Sequence, residues 1–67
     1  MKRFYLYSIG YGSCTVIADT LQIEDGCFKF LVKDTKNMAT TYETIAIYPV
    51  CRTVIHSIEI IKSTEIQ

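Results

Sequence analysis

The stretch Thr20-Leu21-Gln22-Ile23-Glu24-Asp25-Gly26-Cys27-Phe28-Lys29-Phe30-Leu31-Val32-Lys33 decides the fold. Asp-Gly between two alternating runs is the strongest short-range signal for a two-residue hairpin turn, because both central residues of such a turn need a positive φ. With Asp25 and Gly26 at the tip, Glu24 faces Cys27, Ile23 faces Phe28, Gln22 faces Lys29 and Leu21 faces Phe30. Leu21, Ile23, Phe28, Phe30 and Val32 then share one face, and Gln22, Glu24, Lys29 and Lys33 share the other. A slip of one residue would turn both phenylalanines into water, so this pairing is strongly specified.

Outward from the hairpin, the rest of the chain also reads as strand. Residues 2–9 alternate, with Phe4, Leu6 and Ser8 on one side and Tyr5, Tyr7 and Ile9 on the other. Gly10 and Gly12 break that run into a turn or bulged connection. Residues 14–18 form a second strand, and Asp19-Thr20 bends it into the hairpin. Asp34-Thr35-Lys36-Asn37 reads as a polar turn. Residues 38–48 are rich in Thr, Tyr and Ile, which suit a pleated surface. Strict alternation there sets Ile45 and Ile47 against Tyr42, Ala46 and Tyr48. Pro49 ends that strand. A link through Cys51 and Arg52 leads to a last strand over 53–62, where Val54, His56, Ile58 and Ile60 alternate with Ile55, Ser57, Glu59 and Ile61. Residues 63–67 are expected to fray. No segment carries apolar residues at helical spacing. The expectation is one all-β domain over 1–67: a five-stranded antiparallel curled sheet or an SH3-like barrel, since accumulated twist curls so many short strands.

Sixty-seven residues leave room for one domain with a thin core. Hydrophobic residues make up 49% and charged residues 21%, too apolar a balance for a disordered chain. Seven Lys plus Arg match seven Asp plus Glu, which argues against non-specific coating of phosphate backbones. Cys14, Cys27 and Cys51 show no Cys-x-x-Cys spacing, and no secretory leader or membrane-spanning run is read. They read as small apolar fillers in a reducing compartment, the cytoplasm. Three thiols with His56 would make a Cys3His zinc set, but scattered single ligands lack the paired spacing of zinc modules. No metal and no cofactor is expected.

The series Ala18-Asp19, Ile23-Glu24-Asp25-Gly26, Phe28 and Phe30, Ala46-Ile47-Tyr48-Pro49, Val54-Ile55 and Ile58-Glu59-Ile60 resembles a largely uncharacterised family of small bacterial and phage proteins. The resemblance spans most of the chain beyond residue 15. It implies an SH3-like small barrel of phage or mobile-element origin, acting in a host cytoplasm, and it carries over no catalytic residue.

Gly10-Tyr11-Gly12-Ser13-Cys14 matches neither a phosphate-cradling loop, which needs Lys-Ser or Lys-Thr opening a helix, nor a Gly-x-Ser-x-Gly elbow. A glycine turn followed by a buried thiol accounts for it. A nucleophilic Cys14 would depend on His56, which reads as a half-buried strand residue. Asp19, Glu24, Asp25 and Asp34 surround the hairpin, where turns account for Asp25 and Asp34; a carboxylate pair would need a cleft. The expectation is that the protein is not an enzyme. The unusual feature is tyrosine: Tyr5, Tyr7, Tyr11, Tyr42 and Tyr48 offer large area with a polar tip, as partner-binding surfaces do. With Phe4 and Leu6 inward, Tyr5 and Tyr7 form an outer strip that Tyr11 would extend. The expected function is protein–protein docking through a tyrosine-bearing face or a strand edge, onto another protein or a second copy. If the resemblance holds, the target would be a host protein that the docking inhibits. The alternative is single-stranded nucleic acid bound by stacking on tyrosines near Lys29, Lys33 and Lys36.

Overall fold

The computed structural model describes residues 1–36 and 38–61, with the backbone alone at Lys36. Residues 37 and 62–67 lie outside it, and with them Asn37 of the expected turn, the expected end of the last strand at Lys62 and the expected frayed stretch 63–67. The chain is all-β. Six strands, β1 (Lys2–Ser8), β2 (Gly12–Ala18), β3 (Thr20–Glu24), β4 (Cys27–Lys36), β5 (Ala39–Pro49) and β6 (Thr53–Ile60), form two antiparallel three-stranded sheets. Sheet A has the order β2-β1-β6 and sheet B the order β3-β4-β5.

The expected five strands become six because Asp19 divides one bent segment into β2 and β3. The Asp19 N–H donates to the Leu31 carbonyl at 2.9 Å, and the Lys33 N–H donates to Asp19 Oδ2 at 2.6 Å. The chain thus leaves sheet A at Ala18 and enters sheet B at Thr20. A second corner lies at a 3₁₀ turn, Val50–Arg52, between β5 and β6. There the Val50 N–H donates to the Gly26 carbonyl and the Ile9 N–H to the Arg52 carbonyl, each at 2.9 Å. Strands that switch sheets at corners are what join the two layers of an orthogonal sandwich.

The hairpin has the pairing its sequence dictates: Leu21 opposite Phe30, Ile23 opposite Phe28 and Glu24 opposite Cys27. Asp25 has φ 53° and Gly26 φ 71°, the left-handed pair that a two-residue turn requires. Burial along it is uneven. Phe30 is fully buried, Leu21, Phe28 and Val32 are half-buried, and Ile23 is 67% exposed. The expected stacking of Ile23 into the core fails: one residue pair from the tip, opposite the half-buried Phe28, its side chain stands in water.

Phe4, Leu6, Val16, Ala18 and Phe30 form the core, with Cys14, Leu21, Phe28, Val32, Ala46, Tyr48 and Ile55 packed around it. Phe30 meets Phe4 edge to face at 5.0 Å and Tyr48 at 6.0 Å. Leu31 and Ile61 are also buried, outside this cluster. Beside Leu6, the hydroxyls of Ser8 and Thr53 share a buried hydrogen bond of 2.8 Å.

Three local readings are corrected. Asp34, Thr35 and Lys36 continue β4 rather than turning, and the hairpin closes beyond Lys36, where Met38 is 99% exposed with φ 65°. A polar run continues as strand when both faces of that strand meet water. In β5 the pairing shifts between Phe30 and Leu31, so that Phe30 faces Ala46 while Leu31 faces Thr44. Ile45 is the extra residue, and Tyr42 moves to the face opposite Tyr48. In β6 the pairing shifts between Tyr5 and Leu6, which face Ser57 and Ile55. His56 is the extra residue, so Ile55, Ile58 and Ile60 fall on the side of Leu6 and Phe4. His56 is therefore exposed instead of half-buried in phase with Ile58.

Candidate interaction surface

Burial of Phe4, Leu6 and Ser8 turns Arg3, Tyr5 and Tyr7 to the outside of sheet A, because successive side chains on a strand point to opposite faces. Ladder pairing extends this outer row in both directions. On β2 the partners of Arg3, Tyr5 and Tyr7 are Ile17, Thr15 and Ser13. On β6 they are Glu59, Ser57 and Val54. The result is a three-strand face, regular on the β2 side and bulged at His56 on the β6 side, with tyrosine along its middle and an opposite-charge pair at one end.

That pair is structured. The Arg3 guanidinium bonds Glu59 Oε1, and the Tyr5 hydroxyl donates to the same oxygen at 3.3 Å. Tyr5 is half-buried against these neighbours, whereas Tyr7, Ile17 and Val54 are exposed. The face carries two tyrosines and one arginine, types enriched at protein interfaces, together with Ile17, Val54, Thr15, Ser13, Ser57 and Glu59 and no lysine.

The five tyrosines do not form one surface. Tyr11 leaves the outer strip: the Gly10 and Gly12 backbones, at φ 97° and 82°, fold its loop toward sheet B. Its ring meets Tyr48 edge to face at 5.6 Å. Tyr48 in turn packs on Phe30. Its phenol is held above the usual tyrosine range first by a hydrogen bond with Cys14, then by burial. Tyr42 stands opposite Lys33 on the outer face of sheet B. Tyr5 and Tyr7 are thus brought together, Tyr11 and Tyr48 form a separate pair beside the core, and Tyr42 stands apart from both.

Among the cysteines, Cys14 and Cys27 are half-buried and Cys51 is exposed, so the expected filler role does not extend to Cys51. Cys14 lies on β2 and His56 on β6, separated by the whole of β1. No group of three or more His, Cys, Asp or Glu side chains among the described residues could hold a metal ion. The described residues enclose no pocket. No helix among them is long and apolar enough to cross a membrane.

The free edges differ in kind from this face. Each sheet has two edge strands, β2 and β6 in sheet A and β3 and β5 in sheet B; β6 and β5 carry a bulge, at His56 and at Ile45, whereas the ladders of β2 and β3 are regular. A bulge on an edge strand re-aims its free N–H and C=O groups and blunts strand addition. Sequence reading left face and edge equal because neither bulge is marked by glycine or proline. No protein-family model, curated protein or solved structure matches the chain.

Proposed function

We propose that this protein is a non-enzymatic interaction module that docks onto another protein through the outer face of sheet A. One observation carries the reading: Tyr5 and Tyr7 occupy successive outward positions on the central strand of sheet A, flanked by Ile17, Thr15 and Ser13 on the unbulged β2 side and by Val54 beyond the His56 bulge on β6. A half-buried Tyr5 tied to the Arg3–Glu59 pair is pre-ordered, so less rotamer freedom is lost on docking. The two three-stranded sheets do not close into the expected barrel, and the same reading keeps only an SH3-like likeness. Two features support this: a bend at Asp19 carries one segment through both sheets, and a 3₁₀ turn joins the last two strands. With the resemblance to phage proteins, it extends to a host protein as the one docked and inhibited.

Nucleic acid is less well served. Tyr5 and Tyr7 lie on sheet A, whereas Lys29 and Lys33 lie on β4 of sheet B. Lys29 is also engaged, at 2.5 Å from Glu24, which raises its pKa and lowers that of Glu24. Tyr42 stands opposite Lys33 on the β4–β5 ladder.

A photo-crosslinking amino acid placed at Tyr7, and separately at Tyr42, tests the docking face inside cells. The expected result is a discrete protein adduct from position 7 and none from position 42. Adducts from 42 alone, or binding of single-stranded oligonucleotides at low salt that Lys33→Ala abolishes, would overturn it.

A further inference from the structure

We infer that the outer half of the β4–β5 hairpin is a two-register device: residues 39–45 slide by one position along β4 and carry Tyr42 from one face of sheet B to the other. The device belongs to sheet B and is independent of the docking face on sheet A.

Two irregularities within one hairpin point to it. Ile45 is an extra residue in the β5 ladder, and Met38 has φ 65°, a conformation that side chains other than glycine's rarely adopt. Counting along the ladder couples the two. Pairing runs from Cys27–Pro49 to Phe30–Ala46, skips Ile45, resumes at Leu31–Thr44 and ends at Lys36–Ala39. If Ile45 enters the ladder opposite Leu31, every later pair moves by one. Val32 then faces Thr44, Lys33 faces Glu43, Asp34 faces Tyr42, Thr35 faces Thr41 and Lys36 faces Thr40. The connection gains Ala39, and the positive φ passes from Met38 to Ala39 as the last residue of a three-residue turn.

The two registers are closely matched. The slip sets Leu31 against Ile45 instead of Thr44, and Lys33 against Glu43, an opposite-charge pair, instead of Tyr42. It gives up the bond from the Thr41 hydroxyl to the Asp34 carbonyl, 3.3 Å long. No buried residue has to move, because residues 39–45 are exposed on both faces of β5. Register is weakly specified in such a strand, whereas buried Phe30 fixes that of the β3–β4 hairpin. The Lys33 N–H keeps its bond to Asp19, since β4 stays in place. The bulge can travel from Ile45 to the turn one rung at a time, so the hairpin never opens as a whole. Each slipped side chain changes face. Tyr42 leaves the side of Lys33 for that of Ala46 and Tyr48, and Glu43 makes the reverse exchange. A partner that touches Tyr42 on one face therefore selects one register.

Moving a glycine by one position separates the registers. Met38→Gly suits the bulged ladder, and Ala39→Gly suits the longer connection. Both lie at an exposed hairpin end, and native circular dichroism confirms each fold. In NMR relaxation dispersion of the full chain, the wild type should show microsecond-to-millisecond exchange within 31–36 and 38–45, with β1 and β2 quiet. Met38→Gly should quench that exchange. Ala39→Gly should raise the slipped population about tenfold, with backbone contacts from Lys33 to Glu43 appearing beside those to Tyr42. Adding Glu43→Lys sets like charges opposite each other in the slipped register alone, and should restore the bulged ladder. A wild type without exchange, or Ala39→Gly with Lys33 contacts to Tyr42 only, overturns the inference. Exchange that extends equally over β1 and β2 reports general opening and overturns it too. So does exchange in the hairpin that neither glycine alters, which reports fraying.

Discussion

Phe30 is the residue on which the two sheets depend, and replacing it with leucine measures that dependence. Its ring is fully buried and makes two edge-to-face contacts, with Phe4 of sheet A and Tyr48 of its own sheet. Such pairs contribute ~0.5–1.5 kcal/mol each beyond buried area, so Phe30→Leu should cost about 1–3 kcal/mol. The whole domain has on the order of 3–10 kcal/mol to lose at its length. Phe30→Ala, at ~3–5 kcal/mol, would leave too little fold to measure. For a domain of this size 1 kcal/mol shifts Tm by ~4–8 °C, so Phe30→Leu should lower Tm by about 5–20 °C. Ile23→Ala, on the same face of the same hairpin but in water, should stay within ~0.5 kcal/mol. Urea titration of Phe4→Leu, Phe30→Leu and the double variant should give a coupling of ~0.5–1.5 kcal/mol. A loss below about 0.5 kcal/mol at Phe30, or a larger loss at Ile23, would refute this account of the core.

Three further outcomes are expected. Ser8→Ala strands the buried Thr53 hydroxyl and should cost ~1–3 kcal/mol by urea titration, and Ser8→Ala with Thr53→Val should recover part of it. Met38→Gly should raise stability by ~0.5–1 kcal/mol in thermal melts, since glycine adopts φ 65° without the strain of a side chain. Asp19 has its pKa lowered, chiefly by the Lys33 N–H and then by the N-terminal ammonium. Its contribution is therefore complete above the unfolded carboxylate range near pH 4, and it fades as pH falls through the lower folded value. Asp19→Asn should destabilise the protein at pH 7, and the gap from wild type should close on acidification; a gap that widens would reverse the sign.

Residues 20–33 were legible because a single local signal, Asp25-Gly26, sets their pairing and the phenylalanines penalise any slip. The faces of β1 were legible as an alternation whose inward side the sequence left open; burial of Phe4 and Leu6 decides it. β5 and β6 defeated strict alternation because Ile45 and His56 are ordinary strand residues whose extra place in the ladder is set by the partner strand. Tyr11 left the outer strip for a similar reason. Two positive-φ glycines determine where its loop points, and the composition of the loop does not reveal that direction. The tyrosine face was therefore half visible: Tyr5 and Tyr7 follow from alternation, while the separation of Tyr11, Tyr42 and Tyr48 follows from turns and a bulge.

The placement of β1 between a buried ring cluster and an outer tyrosine face is tested most directly by a nuclear Overhauser spectrum of the aromatic protons. Contacts from the Phe30 ring to Phe4 and to Tyr48, with none from Phe30 to Tyr5 or Tyr7, are predicted. Cross-peaks joining Tyr7 to Phe30 would invert the strand, bury the tyrosines and remove the surface on which the proposed function rests.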